Sequence, residues 1–313
     1  MAPRPPTTAD WLRLLGLTAC WGTAFLLNEL ALADFEPWQI VAARICLGAV
    51  VLAVYLRAVG IRLPRSPGSW VPMAVTAIFG IIVPFFLTLW AQTQLDSAVT
   101  AVLMAIMPLM VVSLAHVFVP GERLTAAKLL GFAAGFVGVV LVMAPGASGA
   151  SKIPLAASLA VLGAALSYSA TSVYARLHST SAPAAMAAGM LLVAALIAVP
   201  AAITEGSGLP ANVGVAAIAA VFLLGVFATG IASVLYFQVV AGPGPSFLSI
   251  VNYLVPAWGV LLGVLVLGER LSGRALAGLG VILLGIAISE FGGRLFSRQK
   301  AGVTGTPADV ANQ

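Results

Sequence analysis

Charged residues divide this chain into long apolar runs, and the runs define its elements. No Asp, Glu, Lys or Arg occurs in 66–95, 97–121, 129–151, 153–175 or 206–268. Each run reaches or exceeds the roughly 18 to 20 residues that carry a helix across a hydrocarbon core. The last is long enough for two crossings. With charge, Pro and Gly as boundaries, the pattern predicts ten helices, at 11–30, 38–58, 70–91, 98–119, 125–144, 154–175, 183–203, 213–238, 246–267 and 274–293.

The second five helices repeat the first five. Gly121-Glu122-Arg123-Leu124 recurs as Gly268-Glu269-Arg270-Leu271, and the same offset places Trp21 on Tyr168, Gly131 on Gly278 and Gly138 on Gly285. Offsets adjusted by one residue place Pro108 on Pro256, and Trp90 and Gln92 on Tyr236 and Gln238. Because five is odd, the second copy enters the membrane from the opposite side, and an inverted apolar duplication is the mark of a secondary transporter fold. The chain is therefore expected to be an all-α integral membrane protein, with ten transmembrane helices as two inverted five-helix repeats. The predicted organisation is a tail at 1–10, a first repeat at 11–144, an outer linker at 145–153, a second repeat at 154–293 and a tail at 294–313.

Composition excludes a soluble domain: 61% of residues are hydrophobic and 8% charged, against about 25% charged in a globular average. Basic residues orient the bundle. With both termini cytoplasmic, eleven of the 15 Lys and Arg fall on the inner side and three, Lys152, Arg270 and Arg274, outside. The net charge of +5 thus reports topology and contact with the inner leaflet, and no nucleic-acid partner is implied. Leu17-Thr18-Ala19-Cys20 resembles a lipoprotein processing site, but the apolar run before it is too short, so the first helix is read as retained. Cys20 and Cys46, both inside predicted spans, read as free packing residues. There is no GxxxxGK[ST] loop, HExxH, CxxC or GxSxG, and the two histidines are His116 and His178. Catalytic residues, a metal site and a cofactor are not expected.

The Trp21-Gly22 pair, Pro37 followed by Arg44, and the two proline-to-Glu-Arg arrangements from Pro108 to Leu124 and from Pro256 to Leu271 resemble the paired EamA domains of the drug/metabolite transporter superfamily. The resemblance covers about residues 11–293. It implies a bacterial inner-membrane carrier whose central cavity is lined by the first, third, fourth, sixth, eighth and ninth helices. In length and helix plan the chain resembles amino-acid exporters of the YddG type, while other members move nucleotide sugars, triose phosphates, purines, drugs or other metabolites.

Candidate site residues lie near mid-span. Trp21 and its repeat partner Tyr168, with Ser167 and Thr171, are expected to frame one substrate from opposite halves, against a packing role. Asn252 and Tyr253 precede Pro256 by about a turn, and an amide inside an apolar span requires a partner. Pro256 frees the carbonyl of Asn252, and Pro108 that of Met104. Trp90 with Gln92, and Tyr236 with Gln238, are candidate outer and inner gates or else interfacial aromatics.

Arg44, the basic residue well inside a span, reads either as a clamp for a substrate carboxylate or as a charge pair with Glu29 or Asp34. A titrating Glu29 in such a pair would couple protons to gating. The spans hold too few cations for a phosphorylated sugar and lack a carboxylate near the middle of the first helix for a lipophilic cation. A neutral or zwitterionic metabolite, first an amino acid, is expected, moved by proton coupling or exchange. Gly131 to Gly135 and Gly259 to Gly263 read as intramolecular packing faces rather than a dimer interface, so a monomer is expected.

Overall fold

The computed structural model describes residues 5–120, 125–143, 154–178, 182–205, 208, 212–243 and 245–303. Among them the chain forms α1 (Thr8–Leu32), α2 (Pro37–Val59), α3 (Pro67–Gln92), α4 (Ser97–Phe118), α5 (Ala126–Met143), α6 (Leu155–His178), α7 (Pro183–Glu205), α8 (Val215–Ala241), α9 (Val251–Val266) and α10 (Gly273–Val303). The first eight are long and apolar enough to cross a membrane, and α9 and Gly273–Ser289 of α10 are shorter apolar helices. This is a multi-pass membrane protein. Val54, Phe136, Leu196, Ile203 and Leu265 stand exposed, as side chains that face lipid do.

Local chemistry sets the helix ends. Thr7 caps α1: its hydroxyl accepts the Asp10 N–H, and Asp10 Oδ2 accepts the Thr7 N–H at 3.0 Å. Pro37 occupies the first turn of α2, where an N–H would be unsatisfied anyway, and Gly60, at φ 72°, ends that helix in the left-handed region.

Three expected boundaries move. The ninth helix begins at Val251 rather than 246, because Pro245–Leu248 forms a separate helical turn ahead of it. The backbone stays helical to Val303, so the expected tail from 294 is helical in its first part. The expected tail at 1–10 likewise supplies the first turn of α1. Gly121–Leu124, the first copy of the repeated tetrapeptide, and the linker at 145–153 lie outside the described residues.

Small residues determine which helices meet. A Cβ on Gly138 would stand 2.7 Å from the Gly278 carbonyl oxygen, and one on Gly278 2.7 Å from that of Gly138. Gly131 and Gly285 face each other in the same way, so α5 and α10 touch backbone to backbone. Gly259 and Gly263 of α9 receive Ala101 and Ala98 of α4. The expected packing role of these glycines is therefore realised within the chain. Elsewhere α2 packs on α7 and α8, α1 on α8 and α9, α6 on α3 and α4, and α3 on α7.

Four segments depart from α geometry at depth. A π turn spans Ile78–Ile82 in α3 and another spans Val226–Ile231 in α8. The chain leaves the helix at Ala105–Ile106 in α4, just ahead of Pro108, and at Ser249–Ile250 just before α9. Pro256 itself lies inside an unbroken α9.

Candidate functional site

Polar bonds between helices cluster at two places in the interior. At the first, α1 meets α3: Asn28 Nδ2 donates to Gln92 Oε1 at 2.8 Å, and Gln92 Nε2 donates to the Phe25 carbonyl at 2.9 Å. Both amides are buried, and Asn28 Oδ1 has no partner among the described residues. Gln92, expected at an outer gate, is thus a buried tie between α3 and α1. Trp90 beside it packs against the interior cluster of α4, α6 and α10. Asn28 escaped the sequence reading, although an Asn inside an apolar span carried the same signal as Asn252.

At the second, Arg44 reaches out of α2. Its Nε donates to Thr229 Oγ1 at 2.8 Å, and its guanidinium carbon lies 3.7 Å from the centre of the Phe85 ring. Tyr168 of α6 is its ionisable neighbour. The expected ion pair with Glu29 or Asp34 does not form: among the described residues no carboxylate pairs with Arg44, and Asp34 Oδ2 instead accepts the Gly214 N–H at 2.8 Å. The cause is direction, because Arg44 turns to Thr229 of α8 and Phe85 of α3 while Glu29 faces Glu269 and Asp96. The π turn of α8 positions Thr229, whose hydroxyl donates five residues back to the Leu224 carbonyl at 2.9 Å.

The structure separates some residues expected together. Trp21 faces Tyr236, ring centres 5.9 Å apart, within the cluster of α1, α8 and α9. Tyr168 packs against the α2, α3, α7 and α8 cluster instead. Gln238, two residues after Tyr236, is half-buried, and its carbonyl accepts the Gly242 N–H. Ser167 donates to the Phe79 carbonyl in the π turn of α3, and Thr171 fills the space left by Gly80 in that turn. Both residues line a groove of about 470 Å³ between α3, α4 and α6, with Val75, Phe79, Leu114 and Phe118. Tyr253 packs into the α4 cluster, and Asn252, half-buried at the start of α9, makes no side-chain hydrogen bond among the described residues. Pro108 and Pro256 are both buried. Trp258, which the sequence did not single out, covers Gly22 and donates to Thr23 Oγ1 at 3.1 Å.

Acids gather at the end of the bundle that carries the α3–α4 connection. Glu269 Oε1 accepts the Ser97 N–H at 2.9 Å and Oε2 the Ala98 N–H at 2.8 Å. The second copy of the repeated motif therefore caps the first half's α4. Asp96 lies beside it, and burial first, then the Glu269 charge, raises its carboxyl above the ordinary value. Glu29 is in electrostatic reach of both, and its Oε2 is buried without a partner among the described residues.

Comparison with known proteins follows the same lines. The EamA-like transporter family matches residues 11–144 and 155–291. The chain is 25% identical over 289 residues to the uncharacterized inner membrane transporter YedA of Escherichia coli K12, covering 90% of this chain and 91% of that one. It is 26% identical to the uncharacterized transporter YoaV of Bacillus subtilis, covering 92% and 98%. A probable terminal-alkyne amino-acid exporter of Streptantibioticus cattleyicolor is 28% identical over 139 residues, 44% of this chain and 46% of that one. A solved crystal structure at 25% identity superposes with TM-score 0.67, covering 92% of this chain and all of the other.

Proposed function

Because the chain belongs to the EamA-like transporter family over both its halves, we propose that it is a secondary transporter exporting a small neutral or zwitterionic metabolite, first an amino acid. Two inverted five-helix repeats rock about a central site and open it to each side in turn. The observation that carries this reading is the set of irregular segments at 78–82, 105–106, 226–231 and 249–250. In hydrocarbon, non-helical backbone is tolerated only where protein buries it or where it lines a cavity. Such breaks fall in α4 and at the entry to α9, with the π turns of α3 and α8 as milder departures, and these four are taken as the moving walls.

Helix pairing supports the inverted repeat. Exchanging each helix with the one five positions later converts α1–α9 into α6–α4 and α1–α8 into α6–α3, and maps α2–α7 and α5–α10 onto themselves. Basic residues favour cytoplasmic termini, and a relative named an inner membrane transporter favours that location here. The amino-acid choice draws on the relative named an amino-acid exporter and on Asn252 and Tyr253 at the entry to α9. Efflux of a lipophilic drug is the second reading, favoured by the apolar groove between α3, α4 and α6.

Counterflow of labelled Phe, Met, Thr and Leu into liposomes carrying the purified protein tests the reading. Saturable exchange, lost in the Asn252→Ala, Tyr253→Ala double variant, is expected. No exchange of any amino acid overturns the amino-acid assignment, and exchange of cationic drugs in its place establishes the second reading. Repeating the assay in a pH gradient with Glu29→Gln tests proton coupling. An unchanged gradient response removes Glu29 from that role.

A further inference from the structure

Arg44 is a permanent charge that no carboxylate among the described residues answers. It is 6% exposed and lies about two turns into a membrane-spanning helix. Of its five N–H donors, the one on Nε is spent on a neutral hydroxyl, that of Thr229. One face of the guanidinium is spent on the Phe85 ring. Among the described residues neither Nη finds an acceptor. The surroundings leave little room for retreat: a Cβ on Gly48 would meet Thr229 Cγ2 at 2.7 Å, and one on Gly225 would meet the Arg44 carbonyl oxygen at 3.2 Å. With α2 and α8 pressed together one turn along, the side chain lies between Phe85 of α3 and Thr229 of α8. It enters the interior from a helix expected outside the cavity wall.

A guanidinium held in such a place is strongly unfavourable unless an anion completes it, and desolvation then strengthens the pair. The two unused Nη groups form a planar fork that matches a carboxylate in bidentate fashion, and Tyr168 is within electrostatic reach of the guanidinium. Phe85 and Thr229 hold the fork flat and fix its direction before any ligand arrives. A phosphate ester, which carries up to two charges, would call for additional cations, and no Lys or other Arg accompanies Arg44 in the membrane interior.

We propose that Arg44, oriented by Thr229 and Phe85 and flanked by Tyr168, is the carboxylate-binding subsite of the transport pathway, so that the cargo must carry a free carboxylate. This rests on the transport reading above and narrows it: zwitterions with a free carboxylate, amino acids first, are admitted, while the corresponding amides and amines are not.

The test varies the ligand before the protein. Counterflow of labelled Phe by the wild-type protein is competed with unlabelled phenylalanine, phenylalaninamide and phenethylamine. The amide and the amine should compete about 10- to 100-fold more weakly than the acid, the range expected for a lost hydrogen-bonded charge. Arg44→Gln should remove that preference, and Arg44→Lys, which keeps the charge but not the fork, should retain part of it. Equal competition by acid and amide in the wild-type protein overturns the carboxylate subsite while leaving amino-acid transport standing. The subsite is overturned equally if Arg44→Gln folds, as judged by size exclusion, and keeps the full preference. If no amino acid exchanges, the amino-acid assignment fails separately. The subsite is then read from thermal stabilisation by 3-phenylpropionate against 3-phenylpropanamide: selective stabilisation by the acid in wild type supports it, and equal stabilisation overturns it.

Discussion

Replacing Glu269 with Gln should loosen the start of α4. The Glu269 carboxylate accepts the Ser97 and Ala98 N–H groups at 2.9 and 2.8 Å. A Gln amide keeps one acceptor and turns its NH₂ toward the other donor, so one bond is lost and the remaining one is neutral. A hydrogen bond to a charged group contributes about 1.5–3 kcal/mol, and a charge at a helix end about 0.3–1 kcal/mol. These overlap, and relief of repulsion toward Asp96 returns a fraction, so a net cost of about 2 kcal/mol is expected. Thermal unfolding in detergent should show a midpoint lowered by several degrees. A second readout is local. Ser97 is fully buried, so Ser97→Cys, with Cys20 and Cys46 replaced by Ser, should resist thiol reagents. Adding Glu269→Gln should raise its labelling rate about thirtyfold, the factor that about 2 kcal/mol implies for the open population. Unchanged midpoint and labelling together would refute the reasoning, because the carboxylate would then hold nothing.

Three further outcomes are expected. Gly138→Ala places a Cβ 2.7 Å from the Gly278 carbonyl oxygen, where backbone cannot give way, and should cost about 1–3 kcal/mol, whereas Gly280→Ala, with open space around it, should be neutral or slightly stabilising; both are read by thermal unfolding. Asn28→Leu should destabilise by about 1–3 kcal/mol by orphaning Gln92, and the double change with Gln92→Leu should cost less than the sum of the two single changes. Asp96 carries a carboxyl raised by burial first and by Glu269 second. Its contribution is therefore full below the unfolded value of about 3.9 and is lost as pH rises through the raised folded value. Asp96→Asn should flatten that fall in melting temperature just above the ordinary carboxylate range.

The helix count was legible because it depends on composition alone: an uncharged run of more than about 20 residues has one favourable place in a bilayer. Glycine spacing was legible for the same reason, since Gly131, Gly138, Gly278 and Gly285 repeat at two turns and their contacts need nothing more. The backbone of α10 runs past the expected end at 293 to Val303, because a charged residue interrupts an apolar run without breaking a helix. Partner choice was not legible. Arg44 was matched to acids near it in sequence or at a similar depth, yet its partner is Thr229, 185 residues away, brought in by a π turn with no proline to announce it. The π turns had one faint signal, the glycines within them, Gly80 and Gly230, which admit Thr171 and Val51. Trp21 and Tyr168 were paired by repeat position, and repeat position predicts equivalent environments, not mutual contact.

Constraint is distributed unevenly through the bundle, and the pattern bears on how it moves. α5 and α10 meet backbone to backbone along glycines, a contact that tolerates almost no sliding because carbonyl oxygens replace side chains at the interface. α2 and α7 meet through Ile40, Ile45, Leu52, Ala187, Leu191 and Ala194, all buried. By contrast α3, α4 and α8 carry hydrogen-bond irregularities inside the helix and α9 carries one just before its start, where a turn can be gained or lost by exchanging one backbone partner for another. The proposed rocking motion would concentrate its bending in those four segments. Arg44 belongs to the stiff α2–α7 pair but is held by Thr229 in the compliant turn of α8 and by Phe85 in α3. A carboxylate bound at Arg44 would touch both classes of element at once, the arrangement through which binding can bias one set of walls against a fixed frame.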